Sequence, residues 1–273
     1  MKLRLTPVLA ILLTTLFYGC GAGRAVLPEK GICAHRGENQ TSPENTLSAF
    51  KKAVSMGAHM IEFDVRMTKD GHLVIMHDKT VDRTTNGKGL VSELSLKQIK
   101  ELDAGSWKSE KFKGEQVPLL SEALAVIPDD IWINVHLKGD EKLGIATAKI
   151  LVEKKRTRQA FIACSADVLK GVRSVNPDIM ICNMERQADR KEYVEGTING
   201  KFAFIQLLKK RNDNSLADDV KKLNDSNIMI NYYHAETAEE VSELFDFGVN
   251  FILTNNLEEM LNVADSLGIK PNR

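Results

Sequence analysis

Eight short apolar runs, alternating with stretches of helical period, constrain the fold of this chain more than any other feature. The runs are residues 31–35 (GICAH), 60–65 (MIEFDV), 131–137 (IWINVHL), 160–164 (AFIAC), 179–184 (IMICNM), 202–207 (FAFIQL), 228–233 (IMINYY) and 250–254 (NFILT). Each is bounded by polar or turn-forming residues and is too short for a buried helix. Runs of this length rich in Ile, Val and Phe read as strands buried on both faces, the mark of a parallel sheet. Segments such as DEKLGIATAKILVEKKR, SADVLKGVRSVN and TAEEVSELFDFG lie between them, with apolar residues at helical spacing. Eight strands, each with its helix, is the count of a closed TIM-type (β/α)8 barrel, and about 250 residues is the usual length of one. An open doubly wound sheet is the alternative.

Two segments depart from the simple repeat. RKEYVEGTING, after the run at 179–184, is short for a barrel helix. Residues 72–78 (HLVIMHD) form a ninth extended run, preceded by the turn signal Lys69-Asp70-Gly71. Residues 60–78 therefore read as a strand, a tight turn and a returning segment laid over the barrel's top. Residues 79–118, with their own short helix SLKQIKELD, are an insertion after the second strand rather than a second domain. No Pro-, Gly- or Ser-rich linker divides residues 24–273, so they read as a single barrel domain.

The first twenty residues read as a separate object. Lys2 and Arg4 precede an apolar run from Pro7 to Tyr18, and Gly19-Cys20 follows. A basic start, a run shorter than the roughly 20 residues of a spanning helix and a small-residue exit describe an export signal. The Gly19-Cys20 junction suggests a lipoprotein signal peptide over 1–20, with the lipid carried on Cys20. The expectation is an exported protein, periplasmic or at the cell surface, touching the membrane only through that anchor. Cys33, Cys164 and Cys182 each sit inside an apolar run and read as small buried hydrophobes. Lys plus Arg equals Asp plus Glu at 37 each, so no basic surplus supports a nucleic-acid partner.

In a parallel barrel the C-terminal strand ends form the active face. The polar residues there are His35-Arg36, Glu62 and Asp64, His136 and Lys138, and His77-Asp78 on the returning segment; further round come Ser165, Glu185, Gln206, Tyr233-His234 and Asn255. Glu62 and Asp64, two apart on one strand, point to the same side about 7 Å apart along it. Facing into a barrel mouth they would repel unless a cation sat between them, and hard oxygen ligands suit a divalent ion. His35 and His77 are candidates for an acid–base pair. Arg36 is a candidate phosphate clamp. His59, His72 and His234 read as ordinary core or surface histidines. Together the candidates describe phosphoryl-transfer machinery.

These residues carry a family resemblance. AHRGENQTSPENTLSAFKKAVSMGAHMIEFDVRMTKDGHLVIMHDKTVDRTTNGKG, continued by LDAGSW and VPLLSEAL, resembles the N-terminal signature of the glycerophosphodiester phosphodiesterases. The resemblance implies a TIM-type barrel and a metal-dependent hydrolase of small phosphodiesters that releases an alcohol and a glycerol phosphate. It implies His35 and His77 as the acid–base pair, Arg36 and Lys138 on the phosphate, Glu62 and Asp64 on one divalent ion (Ca²⁺ or Mg²⁺), and Glu44 in support. One position departs from the family pattern. His136 stands where a third carboxylate ligand is usual, and an imidazole there removes a negative charge and shifts the expectation toward Mn²⁺ or Zn²⁺. The two last strands also lack the family's usual Trp-Thr segment and Thr-Asp pair, which leaves the alcohol unspecified. The rival expectations are a lyase that ends at a cyclic phosphate, in the manner of a phospholipase D-like enzyme, and a non-catalytic phosphodiester-binding protein.

Overall fold

The eight apolar runs become the eight parallel strands of a closed barrel in the computed structural model, which describes residues 26–235 and 237–272. Residues 1–20, read above as a lipoprotein signal peptide, and with them Cys20, lie outside the described residues. The strands are β1 (Gly31–His35), β2 (Met60–Met67), β4 (Trp132–Leu137), β5 (Ala160–Cys164), β6 (Met180–Asn183), β7 (Phe204–Leu208), β8 (Met229–Tyr233) and β9 (Phe251–Thr254). Pairing of β1 with both β9 and β2 closes the ring. The ninth run contributes β3 (Leu73–Ile75), antiparallel to the outer end of β2. The turn between them is held by Thr68, whose hydroxyl donates to Asp70 Oδ1 at 2.6 Å.

Around the barrel run α1 (Leu47–Met56), α3 (Leu120–Val126), α4 (Glu141–Glu153), α5 (Ala166–Val175), α6 (Arg190–Asn199), α7 (Leu216–Asp225), α8 (Ala238–Phe247) and α9 (Leu257–Ser266), with α2 (Leu96–Lys100) in the insertion. The weakly patterned segment is helical after all, as α6. Asp189 caps it by accepting from Glu192 N at 3.0 Å, and Tyr193 turns inward to donate its hydroxyl to Asn183 O at 2.6 Å. A buried phenol satisfied by two strands fixes α6 where apolar periodicity is faint.

Two layers of core follow from strand alternation. Outward-facing residues such as Ile61, Phe63, Val135 and Ile162 pack under the helices. Inward-facing Trp132, Phe161 and Phe204 fill the barrel's lower lumen, with Phe161 and Phe204 stacked 3.8 Å apart. The main cavity opens at the C-terminal end of the barrel. The insertion has its own small core, Val74, Val81, Val91, Ile99 and Val117, anchored on β3. The three described cysteines are buried and unbridged, and burial pushes the Cys164 thiol up to about 12.

His59 closes the opposite end. Its Nδ1 accepts from Ile32 N at 3.1 Å and its Nε2 donates to Lys270 O at 2.7 Å, so the ring is neutral. Burial lowers its pKa, the bond to Lys270 O only partly offsetting it. A base depressed in the folded state contributes stability that is present above its unfolded value near 6.5 and lost as pH falls through that region. The melting-temperature gap between wild type and His59→Gln is therefore expected to narrow as pH falls below about 6.5. A gap independent of pH would contradict this.

Candidate active site

Strand register assembles the candidate site. β1 pairs with β2 so that His35 stands opposite Glu62, and β2 pairs with β4 so that Asp64 stands opposite His136. Because side chains alternate along a strand, Glu62, Asp64, His136 and His35 all face the lumen. They open into a cavity of about 680 Å³ that is also lined by Arg36, His77 and Lys138.

The turn after β1 presents Arg36 in an unusual way. Arg36 has φ of +57°, and its backbone N–H donates to Glu62 Oε2 at 3.0 Å. The following Gly37 has φ of +79°, and a Cβ there would stand 2.8 Å from the backbone of Ala49, so only glycine permits α1 to approach. The Arg36 guanidinium donates to Glu44 Oε1 at 2.8 Å and lies 3.4 Å from Asp64 Oδ2. Asn45, also at positive φ, donates from Nδ2 to the same Asp64 oxygen at 3.0 Å.

The two histidines are held differently. His35 Nδ1 lies 2.7 Å from Asn255 Oδ1, an oxygen that also accepts from Asn39 Nδ2 at 2.7 Å. That oxygen is an acceptor, so Nδ1 carries the hydrogen and Nε2 keeps its lone pair, 4.0 Å from Glu62 Oε2. Burial lowers the His35 pKa; Glu62 opposes it. Tyr233 packs edge-on against the same ring at 5.0 Å. His77 Nδ1 instead meets a carboxylate, Asp78 Oδ1, at 2.7 Å. Arg83 bridges Asp78 to Glu44, so one chain of charge-assisted bonds runs from His77 to Arg36. Glu44 thus sits behind the cavity wall, joining the two arginines.

Arg66 joins the two sides of the cavity from below. It donates to the carbonyl of His77 at 2.6 Å and to that of Lys138 at 3.2 Å. Removing it should let both side chains drift, and a displacement near 1 Å can cost roughly a hundredfold in rate. Arg66→Ala is expected to lower kcat by about tenfold to a hundredfold while metal affinity holds, and Arg66→Lys to recover only part of it. Full activity in Arg66→Ala would overturn this positioning role.

Glu62, Asp64 and His136 form a donor set suited to a metal ion. They offer one ligand atom each, all within 4.8 Å of one another, and the carboxylates are only 2% and 1% exposed. His136 Nδ1 lies 3.7 Å from Glu62 Oε1 and 3.6 Å from Asp64 Oδ1. These separations are too long for hydrogen bonds, and resemble the roughly 3–3.5 Å between ligands of one ion with bonds near 2.1 Å. Although burial alone would raise the Asp64 carboxyl, His136, Lys138 and Arg36 bring it down to about 2. Lys138 Nζ lies 3.4 Å from Asp64 Oδ1 and 3.1 Å from His136 Nε2.

The candidates from the sequence do not all converge. Gln206, Tyr233 and His234 line the cavity, whereas Ser165 and Glu185 face a separate recess beside Arg186 and Phe202. His59 is a satisfied core histidine and His72 is exposed. His234, read from the sequence as an ordinary histidine, is instead a cavity residue at φ of +73°. Asn45, Arg83 and Asn39 were not singled out, and Asp78 was named only as the end of the returning segment; no strand pattern marks them, because each reaches the site from a loop. The turn-rich ENQTSPENT stretch was the one signal that a loop there is built to a fixed shape.

Comparison with known proteins agrees with this geometry. The model of the glycerophosphoryl diester phosphodiesterase family matches residues 35–259. A glycerophosphodiester phosphodiesterase of Caldanaerobacter subterraneus is 33% identical over 247 residues, covering 85% of this chain and 97% of that protein. The crystal structure of a glycerophosphodiester phosphodiesterase from Agrobacterium tumefaciens superposes with a TM-score of 0.73 at 27% identity, over 84% of this chain and 97% of the other. An Oleispira antarctica phosphodiesterase in complex with the product sn-glycerol-3-phosphate superposes with a TM-score of 0.76 at 25% identity, over 86% and 96%.

Proposed function

The chain belongs to the glycerophosphoryl diester phosphodiesterase family, and from that premise we propose that it hydrolyses glycerophosphodiesters to an alcohol and a glycerol phosphate by metal-dependent acid–base catalysis between His35 and His77. The observation that carries this reading is the convergence of both histidines, Arg36, Lys138 and the Glu62–Asp64–His136 cluster on one cavity.

The roles follow from what each group can do. Arg36 and Lys138 hold the phosphate charge. His35, neutral with a lone pair on Nε2 that the neutral amide behind it leaves available, accepts the proton of the substrate's neighbouring hydroxyl as that oxygen attacks phosphorus; water then opens the cyclic phosphate so formed, with the two histidines exchanging roles. His77, backed by a carboxylate that balances a protonated ring, gives its proton to the departing alcohol oxygen. Glu62, Asp64 and His136 would hold one divalent ion, which when bound supplies positive charge against the charge developing on the phosphoryl oxygens. For His136 Nδ1 to serve as a ligand, its hydrogen must sit on Nε2, and Lys138, a donor only, must then turn from the ring toward the phosphate. With two carboxylates and one imidazole, the donor set is better matched to Mn²⁺ or Zn²⁺ than an all-carboxylate set would be.

The test is release of glycerol 3-phosphate from glycerophosphoinositol by chelated protein, with single divalent ions added back. Expected is turnover restored by added metal; a cyclic phosphate as the end product, or no turnover with any ion, would overturn the hydrolase. We further propose that residues 1–20 direct export and that Cys20 carries lipid. Palmitate labelling that persists in Cys20→Ser would contradict this.

A further inference from the structure

The cavity divides into two halves of different charge. On the β1–β4 side Arg36 and Lys138 face Glu62 and Asp64. The far side is formed by Met184, Gln187, Leu208, Lys209, Lys210 and His234. No carboxylate lines that half among the described residues. Lys209 and Lys210 belong to a single helical turn, Lys209–Arg211, that follows directly from β7. Lys209 is paired from behind by Glu240, on the other side of the turn from the cavity. Lys210 is exposed and makes no ion pair among the described residues.

Were a phosphodiester seated by Arg36 and Lys138, this far half is the part of the same cavity left for its second substituent. We infer that the half selects an alcohol bearing an additional anionic group, a phosphate or carboxylate, through Lys210 with Lys209 beside it; the inference rests on the phosphodiesterase reading above. Among the described residues a cationic alcohol finds neither a counter-charge nor an aromatic cage in that half. Tyr233 is the one Phe, Tyr or Trp among the described residues lining the cavity, and it is packed edge-on against His35. The preference is local in origin, since the chain's formal net charge is zero and no general field draws anions to it.

The experiment compares kcat/KM for glycerophosphoinositol, its ring-phosphorylated form and glycerophosphocholine, all with the metal-loaded full domain. The phosphorylated substrate should exceed the unphosphorylated one by about tenfold, chiefly through KM, and glycerophosphocholine should be the slowest. Lys210→Glu should reduce the phosphorylated-to-unphosphorylated ratio by roughly tenfold, and high salt should shrink it too. Lys52→Glu, the same charge change on the distant and exposed surface of α1, should leave the ratio where it is. A ratio near one, or one that Lys210→Glu does not move, overturns the inference and leaves the phosphodiesterase intact. No turnover of any of the three substrates strikes down both.

Discussion

His35→Ala is expected to lower kcat by about a thousandfold, with KM little changed and metal binding retained, in line with the 10²–10⁴ that a positioned acid or base commonly contributes. The size of the effect follows from how the ring is held. Asn255 takes the Nδ1 hydrogen at 2.7 Å, Tyr233 braces one edge, and the remaining lone pair on Nε2 faces the cavity. Alanine removes that proton-accepting lone pair while leaving the Glu62–Asp64–His136 cluster its own ligand atoms. Added imidazole should restore part of the rate by entering the space vacated. A loss of activity accompanied by equal loss of metal affinity would instead make His35 a structural prop of Glu62, whose carboxylate lies 4.0 Å away.

Asp64→Asn is the second large effect. The substitution keeps shape and removes one charge from a carboxylate that is 1% exposed and approached by Arg36, Lys138 and His136. The donor set would fall from two negative charges to one, and three nearby cationic or polar groups would lose their common partner. Metal affinity and kcat are each expected to fall by about a hundredfold or more, since even partners of metal ligands are worth 10–100-fold. Asp64 itself does not titrate near neutral pH, because against its burial the cationic neighbours His136, Lys138 and Arg36 hold its carboxyl down at about 2. A fall in rate between about pH 5 and 7 therefore belongs to another group. Unchanged metal affinity in Asp64→Asn would remove it from the centre.

Much of this architecture was readable before any coordinates, for physical reasons that differ by residue. The strands were legible because both faces of a parallel barrel strand are buried, which produces largely apolar runs whose few polar residues gather toward the C-terminal ends of the barrel. Those ends are where Glu62, Asp64, His136 and His35 lie, so their convergence followed from the barrel rule and strand parity. Met60 to Asp78 was legible as a strand, turn and return because Lys69-Asp70-Gly71 is a turn signal on its own. Asn255, Asp78 and Glu44 were legible as residues of the active face or its support, but which group each one orients was not. Asn255 meets His35 across 220 positions, and Asp78, Arg83 and Glu44 form a chain whose geometry depends on how the insertion packs on β3. His234 shows the same limit: nothing in its neighbours distinguishes a surface histidine from one turned into a cavity by a left-handed backbone. The helix α6 was faint because Tyr193 anchors it through hydrogen bonds to strand backbone, a signal that hydrophobic period does not carry.

The proposed centre is one divalent ion held by Glu62, Asp64 and His136. The most direct test is pulsed electron paramagnetic resonance of the Mn²⁺-loaded protein, read for coupling to a directly bound nitrogen. Wild type should show one bound Mn²⁺ with a single imidazole nitrogen, and His136→Ala should lose that nitrogen and bind the ion more weakly. A spectrum without nitrogen coupling, or one that persists unaltered in His136→Ala, would place the ion elsewhere and contradict the proposed centre.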